Sequence, residues 1–213
     1  MKLFSVPAAI VAVIVSSVMT ILVSFILGGH VSLYVSPPYN FEDIPDLTGN
    51  VAIVTGSNTG IGYVTARELA KKGAKVFLAA RSEMKGIDAV NRIKAELRDL
   101  PGANLIEFIQ LDLASLAEVR KFAKEFSSRQ LKLDMLILNA GVMATPFGLT
   151  IDGIETQIGT NHMGHFLLVN LLTPIIKESK SRIVHVSSIM HESSHPEGIK
   201  ISSFYEEAGY IPL

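Results

Sequence analysis

Gly56, Gly60 and Gly62 stand directly behind a β-branched run, Val51-Ala-Ile-Val-Thr55, and ahead of a helical pattern through Leu69, Ala70 and Lys72. A strand that breaks into glycines and restarts as a helix can hold the pyrophosphate of a dinucleotide. Glycine lets the backbone approach the phosphates, and the free N–H groups and dipole at a helix start favour negative charge. The candidate contacts are Gly56, Ser57, Asn58, Thr59, Gly60, Ile61 and Gly62. Their spacing is Gly-x-x-x-Gly-x-Gly, not the commoner Gly-x-Gly-x-x-Gly. Three glycines alone would serve equally as a plain turn; the strand before and the helix after are what favour a phosphate site.

Other chemistries find less support. His162 and His165 are three apart on a helical stretch, a spacing that can hold a metal. No nearby carboxylate or third spaced ligand supports that reading, and no metal is expected. His185, His191 and His195 read as loop and strand composition. Ser187 and Ser188 do not sit in a Gly-x-Ser-x-Gly elbow, which disfavours acyl transfer. The absence of cysteine excludes disulfides and thiolate metal sites. With 19 Lys+Arg against 20 Asp+Glu, bulk charge gives no reason to expect nucleic acid as a partner.

The elements that position these residues alternate. Lys75–Ala80 reads as a second strand, and residues 83–98 read as a helix. Residues 105–110 form the third expected strand, and Ser115-Leu-Ala-Glu118 is a capping box opening a helix to about Ser127. Residues 133–138 and 182–187 are the fourth and fifth strands, with a helix over residues 161–177 between them. Short apolar strands separated by helices predict an α/β fold, a Rossmann-type doubly wound parallel sheet covered on both faces. Right-handed crossovers with a reversal after the third strand give the order 3-2-1-4-5, with the cofactor at the switch point.

Thr55-Gly56-x-x-x-Gly60-Ile61-Gly62 resembles the cofactor motif of the short-chain dehydrogenase/reductase family. Gly153-Ile-Glu-Thr-Gln157 and Asn161-His-Met-Gly-His-Phe166 resemble its retinol-dehydrogenase-like branch. The resemblance runs over about residues 48 to 213. It implies hydride transfer between a nicotinamide and an alcohol or carbonyl carbon, on a small apolar substrate such as a retinoid, steroid or other lipid. Ala80 stands where NAD-preferring members carry Asp, and Arg81 follows it. A guanidinium suits a 2′-phosphate, so NADP(H) is the expected cofactor; the alternative is a surface arginine closing a strand. Asp112 and Leu113 match the adenine-contacting pair, and Asn139-Ala140-Gly141 the Asn-Asn-Ala-Gly motif with Leu138 in place of its first Asn. Asn161 matches the helical Asn that holds a proton-relay water, and Ser188 the catalytic serine. Family members often pair through helices flanking the sheet, which makes a homodimer possible.

The family's proton donor is a tyrosine, with a lysine four residues later that lowers its pKa. No Tyr-x-x-x-Lys occurs here: Tyr205 has Gly209 at the fourth place, and Pro212 follows Tyr210 too closely for a helix. The expectation is little or no turnover by this chain, with the true motif just beyond Leu213. The resemblance also lacks the family's sixth and seventh strands, which would leave the fifth strand an exposed apolar edge. A rival expectation is a non-catalytic NADP-binding sensor or interaction protein.

Residues 6–28 contain no charge. That run exceeds the roughly 7 to 15 apolar residues of a cleaved signal and matches the about 20 needed to cross a bilayer as a helix. It also accounts for much of the mean hydropathy of +0.38. The expected organisation is an N-terminal membrane anchor over 1–35, a Pro37-Pro38 and Pro45 linker over 36–49, and a partial NADP-binding Rossmann domain over 50–213. A cleaved signal is the alternative to the anchor. An endoplasmic-reticulum or related endomembrane location is expected. Lys2 before the run and the acids Glu42, Asp43 and Asp46 after it favour a cytosolic N-terminus and a lumenal domain, although related anchored enzymes often face the cytosol.

Overall fold

The strands form because their apolar residues can be buried on both faces at once. In the computed structural model, which describes residues 40–130, 132–192, 198–207 and 210, β1 (Val51–Thr55) is buried along its whole length. β2 (Lys75–Ala80) is buried at every position after Lys75. β3 (Ile106–Gln110), β4 (Met135–Leu138) and β5 (Arg182–His185) complete the sheet. All pairings are parallel, and the order is β3-β2-β1-β4-β5, as expected.

Period-two alternation splits the core into two clusters. Val51 and Ile53 of β1 and Phe77 of β2 pack with α3 (Leu116–Arg129) and α4 (Gly164–Ser179). Ala52, Val54, Val76 and Leu78 pack on the other side with α1 (Gly60–Lys71) and α2 (Glu83–Glu96). Phe77 and Phe126 meet edge to face at 5.1 Å between ring centroids, both fully buried. Burial of one such ring is worth about 1.5–3 kcal/mol. The capping box is half realised: Ser115 Oγ accepts the Glu118 N–H at 3.3 Å.

Two expectations are refined. The helix expected over 161–177 is two pieces: a π turn over Gly159–Met163 and then α4 to Ser179. And β5 is exposed at all four residues, Ile183 and Val184 included; among the described residues it is an edge strand, paired with β4 alone.

The chain divides into two units, residues 1–40 and Phe41–Leu213, and the elements above belong to the second. Within that unit Leu47 is buried in the core, and its N–H donates to Lys72 O at 2.8 Å. Among the described residues no helix is long and apolar enough to cross a membrane. The uncharged run over 6–28 lies outside the described residues.

Candidate dinucleotide site

Where β1 and β4 lie side by side, the crossovers leave the sheet in opposite directions and a crevice opens beyond the strand ends. A cleft of about 320 Å³ occupies that place. Its lining brings together Gly56, Asn58 and Thr59 after β1, Arg81 after β2, Asp112 and Leu113 after β3, and Asn139, Ala140 and Gly141 after β4. Four segments, far apart in the chain, converge on one crevice. Thr156 and Thr160 also line the wall, a contribution absent from the sequence reading.

The glycines are there for two different reasons. Gly56 has φ +65° and Gly60 φ +60°, left-handed conformations that disfavour a side chain. Gly62 is instead a close approach: an added Cβ would lie 2.5 Å from Asn139 Nδ2 and 2.6 Å from Gly56 O. The turn, the helix start and the segment after β4 are therefore pressed together. No side chain caps the start of α1, so its first N–H groups are left for another acceptor. A pyrophosphate fits that cradle: the residues present offer backbone donors, the positive end of a helix and a guanidinium on the rim.

The remaining motif residues divide. Ser57 is fully buried and faces inward: its hydroxyl donates to Val54 O at 2.8 Å and accepts from Ala79 N–H at 3.1 Å, stapling the turn to β2. Ile61 is 74% exposed. The Arg81 backbone is held by Gln110 Nε2, which donates to Arg81 O at 3.0 Å. Asp112 accepts the Ala114 N–H at 3.0 Å and so turns the chain out of β3.

Asn161, in the π turn, uses its carboxamide as a clip: Oδ1 accepts the Val142 N–H and Nδ2 donates to Val142 O, both at 2.8 Å. Ser188 follows β5, is exposed, and accepts the Met190 N–H on its Oγ at 3.2 Å. It is not among the residues lining the cleft. Tyr210 is occupied elsewhere: its hydroxyl donates to Thr145 O at 2.6 Å and accepts from Gln157 Nε2 at 2.7 Å.

His165, dismissed with His162 as a metal pair, turns out to be a strut. It is 1% exposed. Its Nδ1 lies 2.9 Å from Asn161 O. A carbonyl only accepts, so Nδ1 carries the proton, and in the neutral ring Nε2 accepts. The Thr55 hydroxyl donates to that Nε2 at 2.9 Å. Thr55 Oγ1 in turn accepts the N–H groups of Asn139 and Ala140, each at 2.9 Å. Asn139 Nδ2 donates to Thr55 O at 2.9 Å. Burial pushes the His165 pKa down to about 4, so the ring is neutral at physiological pH. Among the described residues no cluster of three His, Cys, Asp or Glu is placed to hold a metal ion.

The short chain dehydrogenase family matches residues 50–202, and the chain belongs to that family. Within it the chain is a retinol-dehydrogenase-like member. It is 46% identical over 162 residues to mouse retinol dehydrogenase 11, covering 75% of this chain and 50% of that protein. It is also 46% identical over 171 residues to an uncharacterized oxidoreductase of Schizosaccharomyces pombe, covering 77% of this chain and 49% of the other. The chain thus spans about half the length of the curated relatives it matches. An uncharacterized protein from Mycobacterium paratuberculosis has a solved structure that superposes with a TM-score of 0.67 at 39% identity, covering 82% of this chain and 58% of that one. The Pseudomonas aeruginosa RhlG/NADP active-site complex superposes with a TM-score of 0.52 at 29% identity, over 63% of this chain and 50% of that one.

Proposed function

We propose that this chain carries the cofactor-binding part of an NADP(H)-dependent oxidoreductase that interconverts alcohol and carbonyl groups on an apolar substrate such as a retinoid, steroid or other lipid. The observation that carries the reading is the joint placement of the glycine turn and Arg81 on one cleft at the sheet's switch point. Buried Ala80 stands at the end of β2, where an acid would hold the two ribose hydroxyls of NAD. The next residue is a guanidinium suited to a 2′-phosphate. The likeness to a solved NADP complex supports the same cofactor.

When bound, the cofactor supplies the hydride. The chain's own residues bind and orient: Gly56 to Gly62 receive the pyrophosphate, Asp112 and Leu113 flank the adenine, and Asn139 to Gly141 form the floor. Ser188 uses its hydroxyl proton toward the reacting oxygen. Asn161 positions the segment after β4, and its carbonyl, with a second lone pair beyond His165, is able to accept from a water. The 213 residues contain no Tyr-x-x-x-Lys to deliver the proton, so turnover by this chain is slight. Residues 6–28 anchor it to an endoplasmic-reticulum or related membrane, where such substrates partition, and residues 36–49 link the anchor to the domain.

The test is a titration of NADPH and of NADH into the full chain, solubilised in mild detergent, while its unfolding temperature is followed. A ligand that binds only the folded state at a hundred times its Kd adds about 2.7 kcal/mol. A larger rise with NADPH than with NADH is expected. A sample that unfolds cooperatively and responds to neither cofactor would overturn the reading. Reduction of a retinaldehyde at rates near those of a complete enzyme would overturn the assignment of slight turnover.

A further inference from the structure

Arg92 lies in α2, a helix that supplies no lining residue to the cleft, yet its side chain reaches the glycine turn. Its Nη2 donates to Asn58 O at 3.0 Å and its Nε to Asp88 Oδ2 at 3.0 Å. The guanidinium carbon lies over the Tyr63 ring, 4.5 Å from the centroid. Tyr63 belongs to the first turn of α1 and is 8% exposed. Its hydroxyl donates to Glu96 Oε1 at 2.6 Å, and Arg67 holds the other oxygen of Glu96 at 3.1 Å. Burial and the Glu96 bond push the Tyr63 pKa up to about 12, so the ring stays a neutral phenol beneath the cation. Three contacts thus hold the guanidinium at once: the Asp88 carboxylate, the Tyr63 ring and the Asn58 peptide oxygen.

The peptide oxygen is the informative contact. Asn58 and Thr59 both line the cleft. The peptide joining them is trans, so its C=O and N–H point in opposite directions. With Asn58 O turned to Arg92, the Thr59 N–H is turned the other way. Thr59 is also the residue that opens α1, with an extended φ of −151° and no side-chain cap. A cation on the carbonyl also polarises the peptide and strengthens its N–H as a donor.

We propose that Arg92 is a positioning residue for the dinucleotide site: clamped by Asp88 and Tyr63, it sets the Asn58–Thr59 peptide so that the Thr59 N–H faces the cofactor's pyrophosphate. This rests on the cofactor reading above. It also predicts a signature distinct from that of Arg81. Pyrophosphate is common to NADPH and NADH, so losing Arg92 weakens both alike, whereas a residue that contacts the 2′-phosphate changes their ratio.

The experiment measures Kd for NADPH and NADH with the full chain in detergent, wild type and Arg92→Ala, alongside unfolding temperature. Loss of one oriented hydrogen bond corresponds to roughly three- to tenfold. The expected result is weakening of both cofactors by that factor with their ratio unchanged. Unchanged Kd for both overturns the proposal. Weakening of NADPH alone also overturns it, since Arg92 would then act as a charge on the 2′-phosphate. Wild-type chain that binds neither cofactor sinks the cofactor reading itself, and the inference with it. Should Arg92→Ala fail to fold, Arg92→Gln decides: the neutral amide cannot satisfy Asp88, ring and peptide together, and wild-type affinity for both cofactors would overturn the proposal.

Discussion

The Thr55 hydroxyl and the His165 Nε2 meet at 2.9 Å across 110 residues of chain. That bond ties the end of β1, where the glycine turn begins, to the helix behind the segment after β4. Thr55 is then fully used, donating to the imidazole and accepting two backbone N–H groups. Replacing it with valine keeps the shape and orphans the N–H groups of Asn139 and Ala140 in a part-buried place. Each unsatisfied group costs about 1–3 kcal/mol. Thr55→Val is expected to lose about 3 kcal/mol in urea unfolding, and Thr55→Ser to lose far less. Equal losses in the two variants would mean that the methyl, not the hydroxyl, carries the site.

His165 gives the fold an acid sensitivity. Its folded pKa of about 4 lies below the ordinary 6.5, so the unfolded chain takes up the proton first as pH falls. The stabilisation is therefore fully present above pH 6.5 and is lost on the way down to about pH 4, to a limit of about 3 kcal/mol. His185, whose ring is 5.6 Å away, and His162 both add repulsion to a protonated His165. Urea midpoints between pH 7.5 and 4.5 should fall more steeply for wild type than for His165→Gln. Parallel curves would remove His165 from the account.

Gly62 has no room for a methyl group. A Cβ at 2.5 Å from Asn139 Nδ2 and 2.6 Å from Gly56 O must move the turn or the floor. Overpacking of this kind costs about 1–3 kcal/mol. Gly62→Ala is expected to bind NADPH at least about tenfold more weakly, the factor that 1.4 kcal/mol represents. Calorimetric titration reads it directly, and wild-type affinity would show that the turn adapts.

On the proposed reading, cofactor choice turns on Arg81. A charge-assisted bond to a 2′-phosphate is worth about 1.5–3 kcal/mol. Arg81→Ala should therefore lose about ten- to a hundredfold in NADPH affinity and almost nothing for NADH. A variant that loses both equally would make Arg81 a structural residue of the rim.

Gly164 lets α4 touch the loop after β3. A Cβ there would lie 2.4 Å from Leu113 O and 2.9 Å from Leu113 Cβ. Gly164→Ala should destabilise the domain by about 1–3 kcal/mol. It should also weaken NADPH, because Leu113 and its neighbour Asp112 line the cleft. Loss of stability with cofactor affinity intact would separate the packing role from the site.

Much of this was legible in one dimension. Alternation of short apolar runs with helical stretches determined the parallel sheet and its order, because buried strands must be apolar on both faces and crossovers are right-handed. The glycine motif located the crevice, because only glycine tolerates the φ of Gly56 and Gly60. Other features depend on which distant atoms meet. Periodicity gave no sign that the helix over 161–177 begins as a π turn, nor that Asn161 clips Val142. The spacing of His162 and His165 can hold a metal, a reading set aside because no third ligand is spaced to join them, and it gave no other role for His165. Only packing decided that His165 points inward to Thr55, since the partner lies in another strand and a side chain's neighbours across the core leave no mark on local sequence. The same holds for Arg92: its place on an exposed helix is written in the sequence, but its reach to the Asn58 carbonyl is set by how α2 lies against α1.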